Sequence, residues 1–257
     1  MLVELLAADG YARIRLNRPE KRNALSPQLL QELEQRFAEA EADSRIRAIV
    51  LEGAGPAFCA GADLAYLREL TAFTPMENLA DSELLARVLW RIYSFPKPVI
   101  AKVHGPAIAG GCGLASVCDF IVAARAGARF GYSEVRLGFI PAIVGVFLVH
   151  KIGEQRARRL LLSAELLSAE EAERLGLVSY VVEDEQLDSF TDELARRLAS
   201  YSADSLRLTK ALLTRLPAMV PEAALHYAAG LNVLIRTTEE FRQGIEQFLS
   251  SHKAQGQ

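Results

Sequence analysis

The chain has 257 residues, 51% of them hydrophobic and 24% charged, and a net charge of −3 from 29 basic and 32 acidic side chains. This is the composition of a globular protein with one sizeable core, and the mixed, slightly acidic charge argues against nucleic acid or an anionic membrane as a partner. Three cysteines, Cys59, Cys112 and Cys118, are odd in number and lack metal-type spacing, so neither a disulfide framework nor a metal site is expected.

In chain order, residues 2–16 read as two short strands around an Asp9-Gly10 turn. Ser26-Pro27 then opens a helix, Ser as cap and Pro in the first position, with Leu29, Leu30, Leu33, Phe37 and Ala40 as its apolar stripe. Residues 46–51 form a strand ending near Gly53. Thr74-Pro75 opens a second long helix, whose Leu85, Val88, Leu89 and Ile92 recur at helical spacing. Residues 98–103 (Lys102 apart) and 120–124 are apolar throughout, the pattern of strands covered on both faces. Between them a glycine-rich turn at 105–117 runs into a small-residue helix. Ser168 and Glu171 make a capping box, Gly176 ends that helix, and residues 178–182 form a strand. From 186 onward the pattern is helical: 187–199, 202–213, 222–236 and 239–251. The expected organisation is an α/β core over 1–185 and a helical C-terminal region over 186–257. No uncharged apolar run approaches the ~20 residues of a spanning helix. No basic-then-apolar leader opens the chain, and a cytoplasmic location is expected.

Two glycine-rich segments follow buried strands: residues 55–64, GPAFCAGADL, and residues 104–114, HGPAIAGGCGL. Glycine lets the main chain approach a ligand, and free N–H groups at a helix start favour negative charge. Two such segments converging would make an oxyanion hole. One segment alone is more simply a tight turn against a sheet. Neither fits the nucleotide-binding glycine patterns.

Together with residues 17–25 (NRPEKRNAL), 130–141 (FGYSEVRLGFIP), 151–157 (KIGEQRA) and 169–182, these segments resemble the signature of the crotonase (enoyl-CoA hydratase/isomerase) family across nearly the whole chain. The resemblance implies a crotonase-like ββα spiral core with a helical C-terminal trimerisation region, assembling as a homotrimer or a dimer of trimers. It implies an acyl-CoA thioester as substrate, coenzyme A arriving as part of it, and no metal or separate cofactor. Matched position by position, the oxyanion amides belong to Ala62 and Gly110, with a helix starting near Gly111 aimed at the thioester oxygen. Glu134 takes the place of a catalytic glutamate. Residues 21–24, including Arg22 and Ala24, with Ala60 and Leu64 resemble the wall that receives adenine and phosphates. Asp63 lies in the same binding segment, where a cap or loop anchor outweighs an acid. Arg242 and Lys253 resemble basic residues that reach a neighbouring subunit's coenzyme.

One departure matters. Where two-glutamate hydratases of the family carry their second Glu, this chain has Gly113. A lone Glu134 would ordinarily be a solvated charge, but its place in the motif beside Phe130 and Leu137 favours a carboxylate of raised pKa in a dry pocket. His104 and Asp119 read as structural, and the cysteines as small buried hydrophobes. Hydration of a 2-enoyl-CoA is the leading expectation. Δ3–Δ2 enoyl-CoA isomerisation, which needs a single base, is the alternative, and a non-catalytic acyl-CoA-binding protein is the reading from another class. The acyl pocket is expected between residues 66–84 and the C-terminal helices.

Overall fold

The Asp9-Gly10 turn, Gly10 at φ +76°, reverses the chain between β1 (Val3–Ala7) and β2 (Tyr11–Leu16), which pair antiparallel. This computed structural model describes residues 1–255, with the side chains of Gln247 and of residues 251–255 outside the described set. Helix α1 (Pro27–Ala42) starts where Ser26 Oγ accepts the Leu29 N–H at 3.3 Å, and all five residues of its stripe are buried. There follow β3 (Ala48–Gly53), α2 (Leu64–Leu70), α3 (Pro75–Tyr93), β4 (Val99–Val103), β5 (Pro106–Ile108) and α4 (Gly110–Ser116). Next come β6 (Phe120–Ala124), β7 (Arg129–Gly131), α5 (Ala142–Ile152), α6 (Glu154–Ser163), β8 (Leu166–Ser168), α7 (Ala169–Arg174) and β9 (Tyr180–Val182). Four helices close the chain: α8 (Leu187–Ala199), α9 (Ala203–Arg215), α10 (Pro221–Arg236) and α11 (Glu239–Gln255).

A six-stranded sheet runs β1-β2-β3-β4-β6-β9, antiparallel only at β1–β2, and a three-stranded sheet runs β5-β7-β8. The central strands are apolar on both sides because both sides are covered. Ile49, Leu51, Val99 and Ala101 face α1 and α3, where Phe37 meets Phe95 edge-on with ring centroids 5.0 Å apart. On the other face Val50, Ile100 and Val122 pack beneath Leu187, Leu194, Ala195 and Leu198 of α8. The first helix beyond residue 185 therefore belongs to the sheet. The exception to the apolar run, Lys102, is buried but paired to Glu52 at 2.5 Å and to Asp188 at 2.6 Å. Lys210 pins α9 to the sheet: its Nζ lies 2.6 Å from Asp119, whose carboxylate also accepts the Val99 N–H.

Some boundaries move for identifiable reasons. The strand expected from 178 begins at Tyr180, because the N–H groups of Leu177 and Val178 both close on the Ala172 carbonyl to end α7. In α3 the buried position is Leu84, and Leu85 turns only partly inward. Periodicity left α2, α5, α6 and the small sheet unassigned. No helix among the described residues is long and apolar enough to cross a membrane. Helices α9 and α10 bury only Lys210, and Leu213, Val220, Leu225, Val233 and Leu234 are more than half exposed.

Phe37 fills the space between the sheet, α1 and α3. Phe37→Ala is expected to cost about 3–5 kcal/mol, read as a lowered urea midpoint at unchanged slope.

Candidate active site

Beyond β3 and β4 the two glycine-rich segments run side by side. They are joined by a parallel bridge, Cys59 to Ala107, in which Cys59 N–H donates to Pro106 O and Ile108 N–H to Cys59 O. Ala62 and Gly110 each lie three residues past this pair (59 to 62, 107 to 110), so the bridge carries them forward together. Side chains are excluded at the junction. A Cβ on Gly61, at φ +89°, would come within 2.8 Å of Ile108 O, and one on Gly111 within 2.1 Å of Cys59 O.

A second bridge, Leu25 to Ala62, uses Leu25 N–H to Gly61 O and Asp63 N–H to Leu25 O. In this register the Ala62 N–H points away from Leu25. Among the described residues no acceptor takes the N–H of Ala62 or of Gly110. The chain turns into α4 through Ala109 at φ +51°, a strained angle for a residue with a side chain. Its N–H donates to Gly131 O at 2.7 Å.

That bond leads to the carboxyl. Strand β7 pairs parallel with β5, Ile108 opposite Gly131, and Glu134 opens a 3₁₀ turn just beyond it. Glu134 is 8% exposed, and its Oε2 is buried without a hydrogen-bond partner. Burial raises its pKa above the usual carboxylate range, against a smaller lowering by its own backbone N–H.

Ala62, Gly110 and Glu134 line one cavity of about 820 Å³, walled mainly by Leu25, Leu67, Leu85, Phe139, Ile140 and Val144. Ala60 and Leu64 line it too. Two unclaimed amides and a buried carboxyl around one apolar room can polarise a carbonyl oxygen and move a proton beside it.

The other expected residues sit outside the lining. Arg22 is exposed, and its carbonyl accepts the Ala60 N–H. Ala24 is buried, its carbonyl 3.2 Å from the Arg18 guanidinium. Asp63 caps α2 through the Ala65 N–H and pairs with Arg18 at 2.8 Å. Burial pushes the Asp63 carboxyl up, but those two partners hold it below the ordinary range. Gly111 packs against Cys59. Arg242 pairs with Glu239 at the surface, and the side chain of Lys253 lies outside the described set. Among the described residues none beyond 144 lines the cavity, so the expected contribution of the C-terminal helices is not found within this chain. Helix α8 packs on the sheet's opposite face, and residues 137–144 supply the wall instead.

The position of the missing carboxylate is occupied. A Cβ on Gly113 would lie 2.1 Å from Val144 Cγ1 and 2.7 Å from Val144 Cβ. His104 Nε2 sits 2.8 Å from Gly55 O, tying the first segment down. Burial pushes the thiols of Cys59, Cys112 and Cys118 up to about 12, which leaves them unreactive. No metal-binding cluster occurs among the described residues.

Asn23 escaped the sequence reading. Fully buried at φ +57°, it donates to the carbonyls of Ala54, Ala57 and Phe58 and accepts the Arg18 N–H, fastening the first segment onto residues 18–25. The only signal was the residue type, since asparagine tolerates left-handed backbone.

A spiral α/β core with paired main-chain donors and a buried glutamate carboxyl in a mainly apolar cavity defines an enzyme of crotonase type. The chain belongs to the enoyl-CoA hydratase/isomerase family, whose model matches residues 7–256. A Thermus thermophilus protein provisionally named an enoyl-CoA hydratase is 45% identical, over 91% of this chain and 92% of its own. The crotonyl-CoA hydratase of Syntrophomonas wolfei is 35% identical, over 96% of this chain and 94% of its own. The crystal structure of an enoyl-CoA hydratase from Mycobacterium smegmatis superposes with a TM-score of 0.92 at 32% identity, over 98% of this chain and 97% of that one.

Gly113→Ala is expected to cost about 1–3 kcal/mol by overpacking against the stiff Val144 side chain. Adding Val144→Ala should recover much of it, read by urea denaturation of the single and double variants.

Proposed function

We propose that the protein adds water across the C2–C3 double bond of a 2-enoyl-CoA. The observation that carries this reading is the buried Glu134 carboxyl, its Oε2 without a hydrogen-bond partner among the described residues, in the same cavity as the unclaimed amides of Ala62 and Gly110. The thioester oxygen sits between the two amides. Glu134, as carboxylate, takes a proton from water while the water oxygen bonds to C3. The C2–C3 electron pair moves toward the thioester, and its oxygen takes the charge on the two amides. Glu134 then returns the proton to C2, forming a 3-hydroxyacyl-CoA.

With Val144 filling the space beside Gly113, one carboxyl serves both half-reactions, and oxygen and hydrogen arrive on the same face of the substrate. Coenzyme A is the handle of the substrate, and the chemistry needs no further cofactor. Its pantetheine and nucleotide follow the rim at Ala60 and Leu64, with Arg22 outside it, while Asp63, Ala24 and Gly111 hold that rim in shape. The relatives named as hydratases support the reaction type.

The same occlusion favours a second reading, Δ3–Δ2 isomerisation, in which Glu134 carries a proton between C2 and C4. The proposal includes a homotrimer or dimer of trimers, supported by the exposed leucines and valines of α9 and α10, and a cytoplasmic location, supported by three free buried cysteines.

Purified protein should bleach the enone absorbance of crotonyl-CoA; conjugation appearing from 3-hexenoyl-CoA without bleaching of crotonyl-CoA would transfer the assignment to the isomerase. Glu134→Gln is expected to lower kcat by about 10²–10⁴-fold with little change in KM; turnover that survives this change would remove Glu134 from the mechanism. The working form is the carboxylate, so kcat should rise with pH through the Glu134 pKa. Because burial raises that pKa, the acid limb should lie above the value of an exposed glutamate, about 4.3.

A further inference from the structure

Two residues before Glu134, the Tyr132 side chain is 1% exposed and its hydroxyl lies 2.8 Å from Ser116 Oγ, in a residue 3% exposed. Ser116 Oγ donates its single proton to the Cys112 carbonyl at 2.7 Å, so the Tyr132 O–H is the donor to Ser116. Cys112 and Ser116 both belong to α4, the helix whose first residue is Gly110. The phenol thus spans from the segment that carries the carboxyl to the helix that carries one of the amides.

The anchor end of this bond is fixed. Lys151 of α5 donates from Nζ to the carbonyls of Ser116 and Cys118, at 3.0 and 2.7 Å, and closes the end of α4. The Glu134 end is unevenly held. Before it stand the Ala109–Gly131 backbone bond and the Tyr132 side chain. After it, Arg136 reaches the Ala164 carbonyl, but Leu137, Phe139 and Ile140 are more than half exposed, and Gly138 at φ +71° has nothing within 4 Å of where a Cβ would stand. On the C-terminal side little apolar packing resists displacement of the turn. The phenol–hydroxyl bond ties this turn to α4 through side chains.

We infer that Tyr132 is a positioning residue, whose hydrogen bond to Ser116 holds the Glu134 carboxyl at its working separation from the Gly110 amide. The claim rests on the function proposed above for Glu134. A buried tyrosine that merely satisfied its hydroxyl would contribute stability and leave the reaction untouched. Tyr132 acts on the position of the carboxyl, where displacements of an ångström are enough to reduce turnover by orders of magnitude.

Tyr132→Phe removes one oxygen and keeps the ring. It should lower kcat on crotonyl-CoA about tenfold while KM stays within about twofold. As the freed carboxyl gains water, the acid limb of kcat should move to lower pH. A ¹³C-glutamate NMR titration of Glu134 should move the same way, with no substrate present. Ser116→Ala removes the other end of the tie and should give the same changes, and the double variant should add little to either. Wild-type kcat and an unmoved titration in both single variants, even at reduced thermal stability, would overturn the inference and leave the functional reading standing. A wild-type enzyme inactive on both thioesters whose Glu134 titration still shifts in Tyr132→Phe would do the reverse.

Discussion

The site depends on one main-chain contact, the parallel bridge between Cys59 and Ala107. Two backbones approach there without side chains between them, and each leaves an amide unclaimed three residues further on. The approach is possible only because Gly61 and Gly111 carry no Cβ. It is held from outside by Asn23, which gathers three carbonyls of the first segment, and by the bridge of Leu25 to Ala62. A donor that the protein leaves unpaired costs free energy during folding. Here the surrounding bonds outnumber the two N–H groups left open, and rigid backbone donors need no reorganisation when charge develops before them.

Glu134 shows the same opposition between folding and chemistry. Burial of a carboxyl among leucines and valines destabilises its charged form more than its own backbone N–H restores it, and that is why its pKa rises. The chain contrasts it with Asp63, the residue after Ala62, whose cap and ion pair draw its pKa down. Two acids of one site are thereby shifted in opposite directions, Asp63 down and Glu134 up. Val144 completes the asymmetry. By occupying the space next to Gly113 it keeps the wall apolar there and leaves no room for a side chain at that position.

Around this the sheet supplies stiffness. Its central strands are covered by α1 and α3 on one side and α8 on the other, and its buried charges are paired: Lys102 with Glu52, Lys210 with Asp119. Rigidity decreases outward. The turn after Glu134 is partly exposed, and α9 and α10 present apolar side chains that this chain alone does not cover. The protein therefore holds its donors on well-packed elements and forms the outer wall of the cavity from a looser segment, an arrangement suited to admitting a substrate with a long flexible arm.

Whatever depends on neighbours along the chain was determined by the sequence alone. The α1 stripe, the Ser168–Glu171 box, the doubly covered strands and the two glycine segments follow from spacing, capping and the absence of side chains, which act over a few residues. The motifs also pointed to Ala62, Gly110 and Glu134 as a set. Tertiary structure decided the rest, because it depends on which distant segments meet. Asn23 matters through carbonyls more than thirty residues away, Val144 through Gly113, Tyr132 through Ser116. Residues 137–144 form the cavity wall, none of the described residues beyond 144 joins it, and α8 lies on the other face of the sheet; no local pattern records on which face a helix will land.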